Sequence, residues 1–122
     1  MKALVKEVGK DFEVVDIDGD LETLQKLVDG YIECVSYRML SIKGLVAIVN
    51  EEGKFTKEVN IAIANGSGSI VDIIHGTIII LGVNGDDFKS LSESDIRYVL
   101  KELYSVRDFS FTKGTLGVLT IA

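Results

Sequence analysis

The stretch from Val59 to Gly82, VNIAIANGSGSIVDIIHGTIIILG, constrains the fold more than any other part of the chain. Ile70–Ile74 and Thr77–Val83 are dense in β-branched and aliphatic residues, and short apolar runs bounded by turn residues read as buried strands. His75 and Gly76 break the run between them, and Asn65-Gly66-Ser67-Gly68-Ser69 precedes it as a loop. Val59–Ala64 reads two ways, because its alternating isoleucines suit a strand and its alanines also suit a turn of helix.

The rest of the pattern supplies partners for these strands. Residues 2–8 and 12–17 alternate around Gly9-Lys10-Asp11 as a hairpin, and Tyr31–Tyr37, Leu45–Val49 and Phe55–Glu58 are further strand candidates. Two segments have helical spacing instead. Leu21, Leu24, Leu27 and Val28 follow Asp20, a good N-cap, with Gly30 as the stop. Ile96, Val99, Leu100 and Leu103 repeat at i, i+3, i+4, i+7 behind Ser92 and Asp95, whose spacing is that of a capping pair. The tail from Asp108 to Ala122 alternates around Lys113-Gly114 as a C-terminal β-hairpin. Its apolar last strand needs a cover, from this domain or from another subunit. The sum is an α+β fold, a mostly antiparallel sheet with two helices packed on one face.

At 122 residues the chain has the length of one domain, with a core that needs neither disulfide nor metal. The single Cys34 cannot form an intramolecular bridge, which suits a reducing cytoplasm. The N-terminus lacks the apolar core of a signal peptide, and the apolar runs are far shorter than the roughly 20 residues of a membrane-spanning helix. A net charge of −6 opposes general nucleic-acid binding, which rests on clustered lysine and arginine. Arg38, Arg97 and Arg107 are the guanidinium groups of the chain.

Three features imitate functional motifs. Asp16, Asp18 and Asp20 alternate beside Gly19 like calcium ligands, yet an EF-hand loop requires glycine and glutamate where this chain has Leu21 and Leu27. A strand end followed by a helix cap explains the carboxylates better. His75 has Ser67, Ser69 and Asp72 nearby, but no second histidine accompanies it, so it reads as structural or ligand-lining rather than catalytic. The Asn65–Ser69 loop has the glycines of a phosphate nest without the lysine of a P-loop. Tyr31, Tyr37, Phe55, Tyr98, Tyr104, Phe109 and Phe111 are expected mostly in the core, with one or two free to stack on a base.

Several segments taken together resemble a known family. Residues 24–33 (LQKLVDGYIE), 46–54 (VAIVNEEGK), Asn60-Ile61-Ala62 and Asp72-Ile73-Ile74-His75-Gly76-Thr77 are similar, in order and spacing, to small proteins known only as a domain of unknown function. The resemblance covers about residues 1–100 and implies a protein of phages, plasmids and Gram-positive genomes. It carries no established activity. Where the family reads Asn-Arg-Ala-Leu-Arg, this chain has Ile61 and Ala64 at the arginine positions, so an anion contact made there is lost or moved. Asn60, Gly68, Asp72, Gly76 and Thr77 keep the pattern.

By analogy with small phage proteins that act stoichiometrically, the chain is expected to be a non-enzymatic anti-defence sponge, a cytoplasmic homo-oligomer that sequesters a small nucleotide immune signal. Its expected ligand-binding residues are Asn60, Asn65, Gly66, Ser67, Gly68, Asp72, His75, Arg97 and Arg107, with no cofactor, metal or catalytic residue. The alternative is an acidic inhibitor that mimics DNA or masks a basic partner, supported by the net charge and by the carboxylate-rich segments Asp11–Glu22 and Asp86–Glu102. A hydrolase built on Asp72 and His75 ranks third.

Overall fold

The computed structural model describes residues 1–64, 70–103 and 118–120. Its elements run β1 (Lys2–Lys6), β2 (Glu13–Asp16), α1 (Leu21–Val28), β3 (Ile32–Val35), α2 (Arg38–Ser41), β4 (Leu45–Asn50), α3 (Gly53–Thr56), β5 (Val59–Ala64), β6 (Ile70–His75), β7 (Ile78–Asn84), β8 (Asp87–Lys89), α4 (Glu93–Leu103) and β9 (Val118–Thr120). The fold is α+β. A larger, wholly antiparallel sheet has the order β2-β1-β7-β4-β3, with β8 added beside β7. A smaller sheet has the order β6-β5-β9, in which β9 runs parallel to β5.

Period-two alternation divides the core of the larger sheet into two faces. Ala3, Val5, Val46, Ile48, Ile79 and Leu81 point to one side, where Leu24 and Val28 of α1 cover them. Leu4, Leu45, Ala47, Val49, Ile78 and Ile80 point to the other, against Ile61, Ile63 and Ile74 of the smaller sheet, Met39 and Leu40 of α2 and Val99 of α4. Burying each such aliphatic side chain contributes about 1.5–3 kcal/mol. The helices therefore do not share one face as expected. The central strands are apolar at successive positions, so both faces had to be covered.

Local chemistry explains the two longer helices. Asp20 caps α1 by accepting from the Thr23 backbone N–H at 3.3 Å, which places the Asp16–Asp20 carboxylates at a strand end and a helix start. Ser92 and Asp95 cap α4 reciprocally: the Asp95 N–H donates to Ser92 Oγ at 3.1 Å, and the Ser92 N–H to Asp95 Oδ2 at 2.9 Å. Val59–Ala64 is a strand.

Elsewhere the structure departs from the sequence pattern. Phe55–Glu58 is not a strand; Gly53–Thr56 forms one helical turn, and the chain extends again only at Val59. The helical turn α2 and the strand β8 were not expected. The latter forms a hairpin with β7 through Gly85, whose φ of 66° is the positive value that a two-residue turn requires. Of the expected C-terminal hairpin, Val118–Thr120 pairs with β5, while its other strand and turn lie outside the described residues.

Candidate functional site

Residues of both sheets line a groove of about 210 Å³. Its floor comes from the inter-sheet face of the larger sheet: Glu33 and Val35 on β3, then Val49 and the β4 end through Glu51. One wall is β6 from Asp72 to His75, and the other is α3 from Gly53 to Phe55. A close approach joins these walls. A Cβ added at Gly53 would lie 2.7 Å from the His75 carbonyl oxygen, so only glycine lets α3 sit against the end of β6.

Tyr37 closes one end of the groove by donating its hydroxyl to Asp72 Oδ2 at 2.7 Å. Lys54 Nζ and the Ile73 N–H both donate to Oδ1 of the same carboxylate, at 3.2 and 2.8 Å. Burial pushes the Asp72 carboxyl up, but the donors from Tyr37, Lys54 and Ile73 outweigh it and hold the group below the ordinary aspartate value. Burial and the adjacent carboxylate together raise the Tyr37 phenol far above the usual tyrosine range. Tyr37 is thus a fixed donor and Asp72 a fixed anion.

His75 takes no part in that network. Its Nδ1 lies 2.9 Å from the Lys57 carbonyl oxygen, which can only accept, so Nδ1 is the donor of this contact. Asp72 and His75 stand an odd number of residues apart on β6 and do not hydrogen-bond each other, so the pair does not form a catalytic dyad in this structure. Cys34 on the neighbouring strand is no activated nucleophile, because desolvation and the charge of Glu33 raise its thiol pKa. Among the described residues, no group of three or more His, Cys, Asp or Glu is arranged to hold a metal ion.

The groove is acidic. Glu33, Glu51 and Asp72 line it against the single ammonium of Lys54. Phe55 stands at its rim with 89% of its surface exposed, and Tyr31 is 71% exposed, so these two aromatics stand outside a core in which most, not all, of the rings were expected.

A family model described as a domain of unknown function, DUF3846, matches residues 1–104. The chain belongs to the DUF3846 family. The matched span takes in every residue of the groove and the whole of the larger sheet. No curated protein matches the chain, and no solved structure does.

Within this DUF3846 domain the expected ligand-binding residues are dispersed. Asp72 and His75 line the groove. Asn60 is fully buried between β1 and β5, where its amide bonds Lys6 and Gly76, so it faces the interior and is placed to hold the sheets together rather than to touch a ligand. Arg97 is exposed on α4 and is not part of the groove. Asn65, Gly66, Ser67, Gly68 and Arg107 lie outside the described residues. Sequence reasoning missed Glu33, Glu51, Lys54 and Tyr37 as a set. They come from two short stretches, 33–37 and 51–54, whose meeting with Asp72 depends on tertiary packing and leaves no local signal.

Proposed function

We propose that this protein is a non-enzymatic binder that holds a positively charged segment of a partner protein in the groove between β3 and β6, and so inhibits that partner stoichiometrically. The observation that carries this reading is the groove's charge: three carboxylates face one lysine, and that lysine is already engaged by Asp72. A cation entering the groove gains favourable interactions that an anion does not, and these weaken as salt shortens the Debye length to about 8 Å at physiological ionic strength. The overall charge of −6 adds long-range attraction for a basic partner. A cytoplasmic setting in a mobile genetic element, with a host defence factor as the masked partner, is the biological context in which such an inhibitor acts.

The nucleotide-sponge reading keeps one specific support. Phe55 exposes its ring at the groove rim beside Lys54, which offers a stacking surface for a base and a cation for a phosphate. The neighbouring carboxylates repel that phosphate, which is why this reading stands second. One test set separates the two: melting shifts are measured with a panel of cyclic nucleotides and ADP-ribose derivatives and with lysine-rich peptides at low and high salt. Stabilisation by the peptides that vanishes in high salt supports the protein-partner reading. Stabilisation by a nucleotide that is recovered unchanged after heating overturns it in favour of the sponge.

A further inference from the structure

We infer that the partner segment binds as an added β-strand along β3, with alternate basic side chains turned into the acidic groove. This rests on the reading of the groove as a site for a basic protein segment and specifies how that segment is held. Among the described residues, β3 is the terminal strand of the larger sheet and pairs only with β4.

The register identifies which backbone groups remain open. The Glu51 N–H donates to the Tyr31 carbonyl at 2.9 Å, so Tyr31 and Glu51 form a hydrogen-bonded pair, and the same parity makes Glu33–Val49 and Val35–Ala47 hydrogen-bonded pairs. Ile32 and Cys34 therefore turn their N–H and C=O groups away from β4. These are the groups that an incoming strand would use.

The side chains on the same edge point to the chemistry of the occupant. Glu33 and Val35 lie on the groove face of β3, so side chains of an added strand on that face enter the groove toward Asp72 and Glu51. The residue placed opposite Glu33 sits at cross-strand distance from its carboxylate, where a lysine or arginine is favourable and an acid is not. The exposed Phe55 ring at the rim offers a cation–π surface to the same side chain. A second copy of this chain is a poorer occupant, because the register that pairs Ile32 with Cys34 of the copy sets Glu33 against its own counterpart.

The test uses the full-length protein and an acetylated, amidated heptapeptide alternating lysine and valine, with a glutamate-for-lysine peptide and a version N-methylated at alternate amides as controls. Calorimetry is expected to show binding of the first peptide, none of the acidic one, and affinity about tenfold lower or worse after methylation of the pairing amides, since at least two edge hydrogen bonds are lost. Glu33→Gln should weaken the parent peptide about threefold, the size of one cross-strand charge pair. Cys34→Pro, which removes an N–H that β4 does not use, should weaken it further while leaving the methylated peptide unaffected. Equal affinity for the methylated and parent peptides would overturn strand addition and leave the acidic-groove reading standing. Absence of binding by both basic peptides would overturn the two together.

Discussion

Lys6 donates its ammonium to Oδ1 of Asn60 inside the core, and the amide nitrogen of that asparagine donates to the Lys6 carbonyl at 3.0 Å and to the Gly76 carbonyl at 2.7 Å. Lys6 is 4% exposed and Asn60 fully buried. One side chain thus binds β1 of the larger sheet, β5 of the smaller sheet and the turn between β6 and β7. Asn60→Ala would leave a buried ammonium and two buried carbonyls without these partners, and should cost about 3 kcal/mol or more. Lys6→Met removes the charge together with its desolvation penalty and should cost less, about 1–2 kcal/mol for the acceptor left behind. Urea unfolding of both variants checks the order; a smaller loss for Asn60→Ala than for Lys6→Met would show that the asparagine is not the junction.

The same lysine predicts an alkaline effect. Burial lowers the Lys6 pKa below the usual 10.5, with the Asp11 charge partly opposing the shift. The unfolded chain consequently binds this proton more tightly than the folded one. Stability contributed through Lys6 must rise with pH between the folded value and about 10.5. The difference in unfolding free energy between the parent and Lys6→Met, followed from neutral pH upward, should move in the parent's favour across that window. A flat difference would mean that the folded and unfolded pKa values coincide.

Tyr37 and Asp72 predict an effect of the same sign at the acid end of the pH range. The Asp72 carboxyl is held low, so its stabilising contribution is present above the unfolded value of about 3.8 and is lost as pH falls through the folded one. Tyr37→Phe deletes one of the three donors and should raise the Asp72 pKa toward the ordinary range while costing about 1 kcal/mol at neutral pH. Carboxyl-carbon NMR titration reads the shift directly. An unchanged Asp72 titration in Tyr37→Phe would assign its low value to Lys54 and the backbone instead.

What the sequence made legible was local. Alternation in residues 2–8 and the short apolar run Leu45–Val49 identified strands, and Asp20, Ser92 and Asp95 marked helix starts, because each signal lies within a few residues of the structure it controls. Asn60 stood out as polar among apolar residues, but a buried junction and a ligand contact look the same in one dimension. Lys6 carried a usable signal that went unread: it shares the face of Leu4, which points into the core. Gly85-Asp86 is likewise a hairpin signal, and it forms the two-residue β7–β8 turn. The groove had no such marker, because Glu33, Glu51 and Asp72 meet only through the pairing of β3 with β4 and the packing of one sheet on the other.

Gly53 links fold and site most directly. Its φ is not in the left-handed region, so alanine brings no backbone strain; the obstacle is the His75 carbonyl oxygen, 2.7 Å from where the new Cβ would lie. Backbone yields less readily than a flexible side chain. Gly53→Ala should therefore force α3 away from β6 and destabilise the protein by about 1–3 kcal/mol, the usual range for overpacking. The displacement carries Lys54 and Phe55 with it, lengthening the Lys54–Asp72 ion pair from 3.2 Å and widening the groove rim. Thermal unfolding measures the first effect, and affinity for the lysine–valine peptide measures the second. A variant as stable as the parent with unchanged peptide affinity would show that α3 can move without disturbing the groove.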